Sequence, residues 1–169
     1  MRILPKVSRV VIETQPRGVL AAVAHDLRID APITSGETTD DAHCTARFDV
    51  ASMHVTASRR HGSAAWHDPT EKDARDIEGR IRDEAFEGLD EIVVAAALDG
   101  SRASIETRAA RSQTVSVPVR VERDGTRTKV TGECDLSLEA LGTGKIHVPL
   151  GAIKLDDRVH VTFEIVLAE

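Results

Sequence analysis

Rings are scarce in this chain: its 169 residues include three Phe, one Trp and no Tyr. Stacking platforms for bases are therefore hard to build, and the charge balance points the same way, with 28 acids against 22 bases and a net charge of −6. Both features argue against a nucleic-acid partner. Long apolar runs are missing too. The longest, Val19–Ala24, falls far short of the roughly 20 residues that cross a bilayer, so no membrane span is expected. Cys44 and Cys134 are the only cysteines, with no CxxC pair. One disulfide between them is conceivable, but two buried thiols in a reducing compartment fit general usage better. Lys6 and Arg9 interrupt the start, MRILPKVSRVVIE, and no apolar region of signal-peptide length follows. The expected location is the cytoplasm.

What is present is aliphatic. Apolar residues make up 41% of the chain, mostly Val and Ala, which is too much for a disordered segment and enough for one globular domain over 1–169. The dominant period is two. Val159, Val161, Phe163, Ile165 and Leu167 alternate with polar residues. So do Val115, Val117, Val119 and Val121; Val130, Gly132, Cys134, Leu136 and Leu138; and Leu27, Ile29, Ala31 and Ile33. A strand sends successive side chains to opposite faces, so each run has one apolar and one wetter face. Val7–Thr14, His43–Val50, Ser52–Ala57, Ile92–Leu98 and Ala103–Ala109 are further strand candidates, for about nine in all. Asp99–Gly100 and Asp124–Gly125 supply hairpin turns. Pro118 lacks a ladder donor, which predicts an edge strand or a bulge.

One segment departs from this period. Ala74, Ile77, Ile81 and Ala85 recur at helical spacing, with Thr70 as the cap, Glu71 and Asp73 in the first turn, and Gly88 as the stop. The reading is mainly β: an antiparallel barrel of about eight strands with one longer α-helix at about 70–87. The loop Ser58–Asp68, SRRHGSAAWHD, is the least patterned stretch and holds the Trp.

Four segments carry a family likeness. GVLAAVAHDLRIDAPI (Gly18–Ile33) resembles an early His-containing turn from helix to strand, in the branch where it reads GHDL. TEKDARDIEGRIRDEAFEGLDEIVV, SQTVSVPVRVE and VTGECDLSLEALGTGKIHVPLGAIKLDDRVHVTFEIVL follow in the matching order. Taken together, the chain resembles the YceI-like family of lipocalin-like barrels that bind polyisoprenoids or other long-chain amphiphiles. The resemblance implies a short helical turn near 18–25, a barrel cavity for a long-chain ligand, and a place of interest at His25.

The chemistry that the residues could support is narrower. Asp26 could fix the tautomer of His25 and leave the other ring nitrogen for a head group; alternatively, His25 simply bonds to backbone where a helical turn becomes a strand. His61, His67, His43, His54 and Cys44 lack the close pairing of zinc ligands, so no metal is expected. No GxSxG occurs, and Gly142–Lys145 (GTGK) lacks the length of a phosphate loop, so neither catalysis nor a cofactor is expected. The apolar strand faces remain. A barrel of about eight strands can be filled or can hold one small ligand, and Val and Ala rows leave room. The leading expectation is a non-catalytic binding protein for an isoprenoid, quinone or fatty-acyl chain. Its tail would lie against Leu27, Ile29, Val117, Val119, Leu136 and Phe163, with the head near His25. The alternative is a closed-core interaction module, with a homodimer through a strand edge.

Overall fold

The computed structural model describes residues 1–17, 24–40, 42–144 and 154–168. Strands come first: β1 (Arg2–Ile3), β2 (Arg9–Thr14), β3 (Pro16–Arg17), β4 (His25–Asp30), β5 (Ile33–Thr38), β6 (His43–Asp49) and β7 (His54–Arg60). Then come the helix α1 (Glu71–Arg80) and β8 (Glu91–Asp99), β9 (Arg102–Arg108), β10 (Ser112–Asp124), β11 (Arg127–Ser137), β12 (Lys154–Leu155) and β13 (Arg158–Ala168). All pairings are antiparallel, in the order β5-β6-β8-β9-β10-β11-β13-β2-β4-β7, with β1 also on β13 and a small separate pair of β3 with β12. The sheet curls into a half-barrel. The mainly β, antiparallel barrel expected from the alternating runs is what forms.

The path has ten strands where about eight were expected. The run Leu27–Ile33 divides at Ala31–Pro32: β4 pairs with β2 and β7, whereas β5 pairs with β6. β5 exposes Thr34, Ser35 and Glu37, so it carries no apolar alternation to betray it. Its Gly36 lies directly under Ile3, where a Cβ would come within 2.5 Å of the Ile3 side chain. That bare backbone lets β1 cross the face of β5. Of the turn expected near 18–25, residues 18–23 lie outside the described ones; Ala24 forms a bend and His25 already opens β4.

Turn chemistry sets the register of the two tightest hairpins. Asp99 pairs with Arg102 and Asp124 with Arg127, leaving two-residue loops that begin at Gly100 (φ 60°) and Gly125 (φ 57°). Only glycine takes such angles without a steric cost. Pro118 corrects an expectation: β10 is interior, and no bulge marks it. Its upper half pairs with β9 as far as Pro118–Arg102, and its lower half pairs with β11 from Val119–Gly132 onward. The Val119 N–H donates to Ser101 O on the β9 side. By alternation the donorless nitrogen of Pro118 therefore faces β11, and the two strands part there.

α1 begins as its sequence requires. The Thr70 hydroxyl accepts from the Asp73 N–H, and Glu71 and Asp73 occupy the first turn. It does not run on as regular α-helix to 87: after Arg80 it widens into a π turn over Ile81–Ala85, closed by Phe86 N–H to Ile81 O at 3.0 Å. π turns are uncommon and recur at functional sites. The helix also covers a strand edge. Among the described residues the outer side of β7 pairs only through a bridge of Ser58 with His67, and Glu78 Oε1 takes the Val55 N–H there at 3.0 Å. No described helix is long and apolar enough to cross a membrane.

Candidate functional site: an apolar cavity in the barrel

Alternation aims one row of each strand inward. Ile29 from β4, Ile105 from β9, Leu136 from β11 and Val161 from β13 meet there, with Ile77 from α1 and Ile81 from the π turn. The rows do not close on one another. They enclose a cavity of about 340 Å³, at the lower end of the ~300–1,000 Å³ usual for small-molecule sites. Exposure tells the same story independently. Leu27, Cys44, Val94, Ala96, Phe163 and Ile165 all line this space, yet each is only half-buried. Well-packed interiors leave few voids larger than a water molecule, so this sequence forgoes a filled core.

Side-chain size explains the void. Ala46, Ala96 and Ala31 stand on the wall where larger residues would meet across it. At one place the opposite is true. Gly132 pairs directly with Phe163, and a Cβ on it would lie 2.6 Å from the ring's Cζ. The missing side chain seats the ring.

Polar groups are confined to the margin of the wall. Thr14 ends β2, Thr107 is next to last in β9, and Thr143 belongs to the loop after β11. That loop meets the helix through Gly144 N–H to Ala85 O at 2.7 Å, and it meets the start of β10 through Arg111 N–H to Leu141 O at 2.8 Å. All three threonines are buried. Arg80 is the one charged residue on the wall among those described, and it is exposed. Both thiols also line the cavity, as free cysteines. Burial pushes the Cys134 thiol up to about 11, helped by the charge of Asp135. Burial likewise raises Cys44, against a smaller opposing hydrogen bond to the Ala96 backbone. Neither is an activated nucleophile.

The residues singled out from sequence divide into three groups. Leu27, Ile29, Leu136 and Phe163 line the cavity. Val117 and Val119 are buried in the core but stand outside the cavity wall. His25 is exposed at the start of β4, two residues before Leu27 on the same strand face, and is not part of the wall. Ile77 was expected in the helical stripe but not on the cavity wall, and Arg80, on the same stripe, was not singled out. The sequence reading also did not place Cys134 in the wall, although Cys134 shares the alternating run of Leu136.

The expected pairing of Asp26 with His25 is replaced by another. Adjacent strand residues point to opposite faces, so Asp26 turns away from His25 to the outside of the sheet. There it accepts from His61 Nδ1 at 2.6 Å and from Arg59 Nε at 2.8 Å, with its side chain only 3% exposed. Burial pushes its carboxyl up, but the hydrogen bonds and charges of His61 and Arg59 outweigh this and hold it below the ordinary value. Arg59 and Arg28 lie over the Trp66 ring, 4.4 and 4.3 Å from its centre, and Arg28 continues to Glu13 at 2.7 Å. The unpatterned loop Ser58–Asp68 is thus tied down by cation–π and charged contacts. A bridge between Ser58 and His67 adds to this. Of the other histidines, His43 bonds to Asp40 and His54 lies 3.6 Å from Glu78. Among the described residues, no three His, Cys, Asp or Glu gather in a way that could hold a metal ion.

No family model matches the chain, and no curated protein does. Among solved structures, the crystal structure of BcnA from Burkholderia cenocepacia matches with a TM-score of 0.61, covering 98% of this chain and 99% of that one at 14% identity. The two chains share a fold. The likeness supports the lipocalin-like barrel that the YceI-like resemblance implies, and at this identity it speaks to the fold alone.

Proposed function

We propose that the protein is a non-catalytic carrier that holds a long-chain amphiphile of isoprenoid, quinone or fatty-acyl type in the barrel. The observation that carries this reading is the cavity of about 340 Å³ with its aliphatic wall. Burying a chain there would gain about 0.8 kcal/mol per methylene, and among the described residues no activated nucleophile or acid–base pair stands on the wall. The tail would lie against Leu27, Ile29, Leu136 and Phe163. The polar head would stay at the rim of the barrel. The barrel shared with BcnA and the resemblance of the four segments to YceI-like sequences support the same reading. Two free thiols on the wall suit residence in the reducing cytoplasm.

The test is mass spectrometry of organic extracts from the purified protein, with uptake of prenyl and fatty-acyl probes beside it. A co-purifying lipid, or saturable uptake at one molecule per chain, is expected. No lipid and no uptake would overturn the proposal in favour of a module with no lipid ligand.

A further inference from the structure

One residue that borders the cavity carries, at the end of its carbon stem, a charge that an all-apolar ligand would not need. α1 and the π turn that follows it present Ile77, Arg80, Ile81 and Ala85 to the cavity, at positions i, i+3, i+4 and i+8 of one stripe. Three of the four are apolar, as a packing face requires, and the fourth is an arginine. Arg80 is exposed and forms no hydrogen bond or ion pair with a described residue. Its neighbour Arg82, by contrast, is bound to Asp83 at 2.9 Å. Arg80 also sits where the helix passes from α to π geometry. The surface that faces the cavity is otherwise almost wholly apolar. Buried Thr14, Thr107 and Thr143 stand at its margin, and among the described residues only the Thr143 hydroxyl has a protein partner, Leu138 O at 3.3 Å. Deeper rows, such as Ile29, Ala96 and Ile105, offer nothing polar.

From this placement we infer that the ligand is an anionic amphiphile, a carboxylate or a phosphate, whose head is received by the Arg80 guanidinium while its chain enters the barrel. A guanidinium offers two parallel donors to either oxyanion, a geometry that an alcohol or a neutral ring carbonyl cannot match. The inference rests on the proposed carrier function and narrows it to acids.

The experiment compares 1-dodecanol, dodecanoate and dodecyl phosphate, which share one chain, by calorimetric titration into delipidated protein at low and high salt. At least one of the two anions is expected to bind tenfold or more tightly than the alcohol at low salt, with a smaller ratio at high salt. The stronger anion identifies the head. In Arg80→Gln the ratio of anion to alcohol affinity falls to near one, whereas Arg80→Lys, which keeps the charge but not the paired donors, keeps part of it. Arg82→Gln, which removes the same charge from the neighbouring position, retains the ratio. Circular dichroism and an unchanged melting temperature verify that each variant is folded, as expected for an exposed side chain. Equal affinity for alcohol and anions in the wild type, or an undiminished ratio in Arg80→Gln, would overturn the assignment of the head while leaving the carrier reading intact. Binding of none of the three would bring down the carrier reading and this inference with it.

Discussion

Replacing Ala96 by leucine separates a cavity from a packed core by the sign of one number. Ala96 pairs with Cys44 on one side and Ile105 on the other, and all three line the cavity. The substitution adds three carbons, which gain about 2.4 kcal/mol if they enter apolar space. Fixing the new side chain costs about 0.5–1 kcal/mol. A net stabilisation of about 1.5 kcal/mol is therefore expected, or a melting temperature higher by about 3–6 °C for a chain of this length. In a filled interior the same atoms would force off-rotamer packing and cost about 1–3 kcal/mol. Urea unfolding of delipidated wild type and Ala96→Leu measures the difference, and titration with dodecanoate measures the space removed, because the variant should bind more weakly. A variant that is less stable than wild type, and binds no differently, would refute the reasoning.

Three further outcomes are expected. Gly132→Ala puts a methyl into the Phe163 ring and should destabilise by about 1–3 kcal/mol; adding Phe163→Leu should recover much of this in a double-mutant cycle, and strict additivity would show that the ring does not rest there. Asp26→Asn removes a buried carboxylate from His61 and Arg59 and should cost about 1–3 kcal/mol at neutral pH. Because the folded-state pKa of Asp26 lies below its unfolded value of about 3.9, that contribution is complete above the unfolded value and is lost as pH falls through the folded one. The stability gap between wild type and Asp26→Asn should therefore close on acidification below about pH 4, and a gap undiminished at pH 2 would contradict the assignment. Finally, Cys134, with its thiol pushed up to about 11, should react with iodoacetamide at pH 7.5 on the order of a few hundredfold more slowly than an ordinary thiol. Mass spectrometry of the labelled chain would show it, and equal rates in folded and unfolded protein would refute burial.

Period two made most of the barrel legible from sequence. The run Val159–Leu167 became the inner row of β13, and the stripe Ile77, Ile81, Ala85 became the inner face of the helix, because both patterns are local consequences of backbone geometry. β5 was illegible for the same reason: TSGET has no apolar row, since its inward residue Gly36 is covered by Ile3 from a distant strand. Depth along the barrel was hidden as well. Alternation reports which face a residue takes, not how far along the axis it lies, so Val117 and Val119 read like Leu136 yet stand in the packed part. The network around Asp26 could not be read because His61 is 35 positions away and arrives by strand pairing. Nor could Arg80 be distinguished from the other charges of an acidic helix until the helix was seen to form part of the cavity wall.

Apolar burial in this cavity is the proposed driving force of binding. Calorimetric titration of the protein with a homologous series of carboxylates, from eight carbons upward, measures that directly. Each added methylene should tighten binding about fourfold, the equivalent of about 0.8 kcal/mol, with a negative heat-capacity change. The gain should stop once the chain outgrows the cavity. An affinity that does not change with chain length would contradict it.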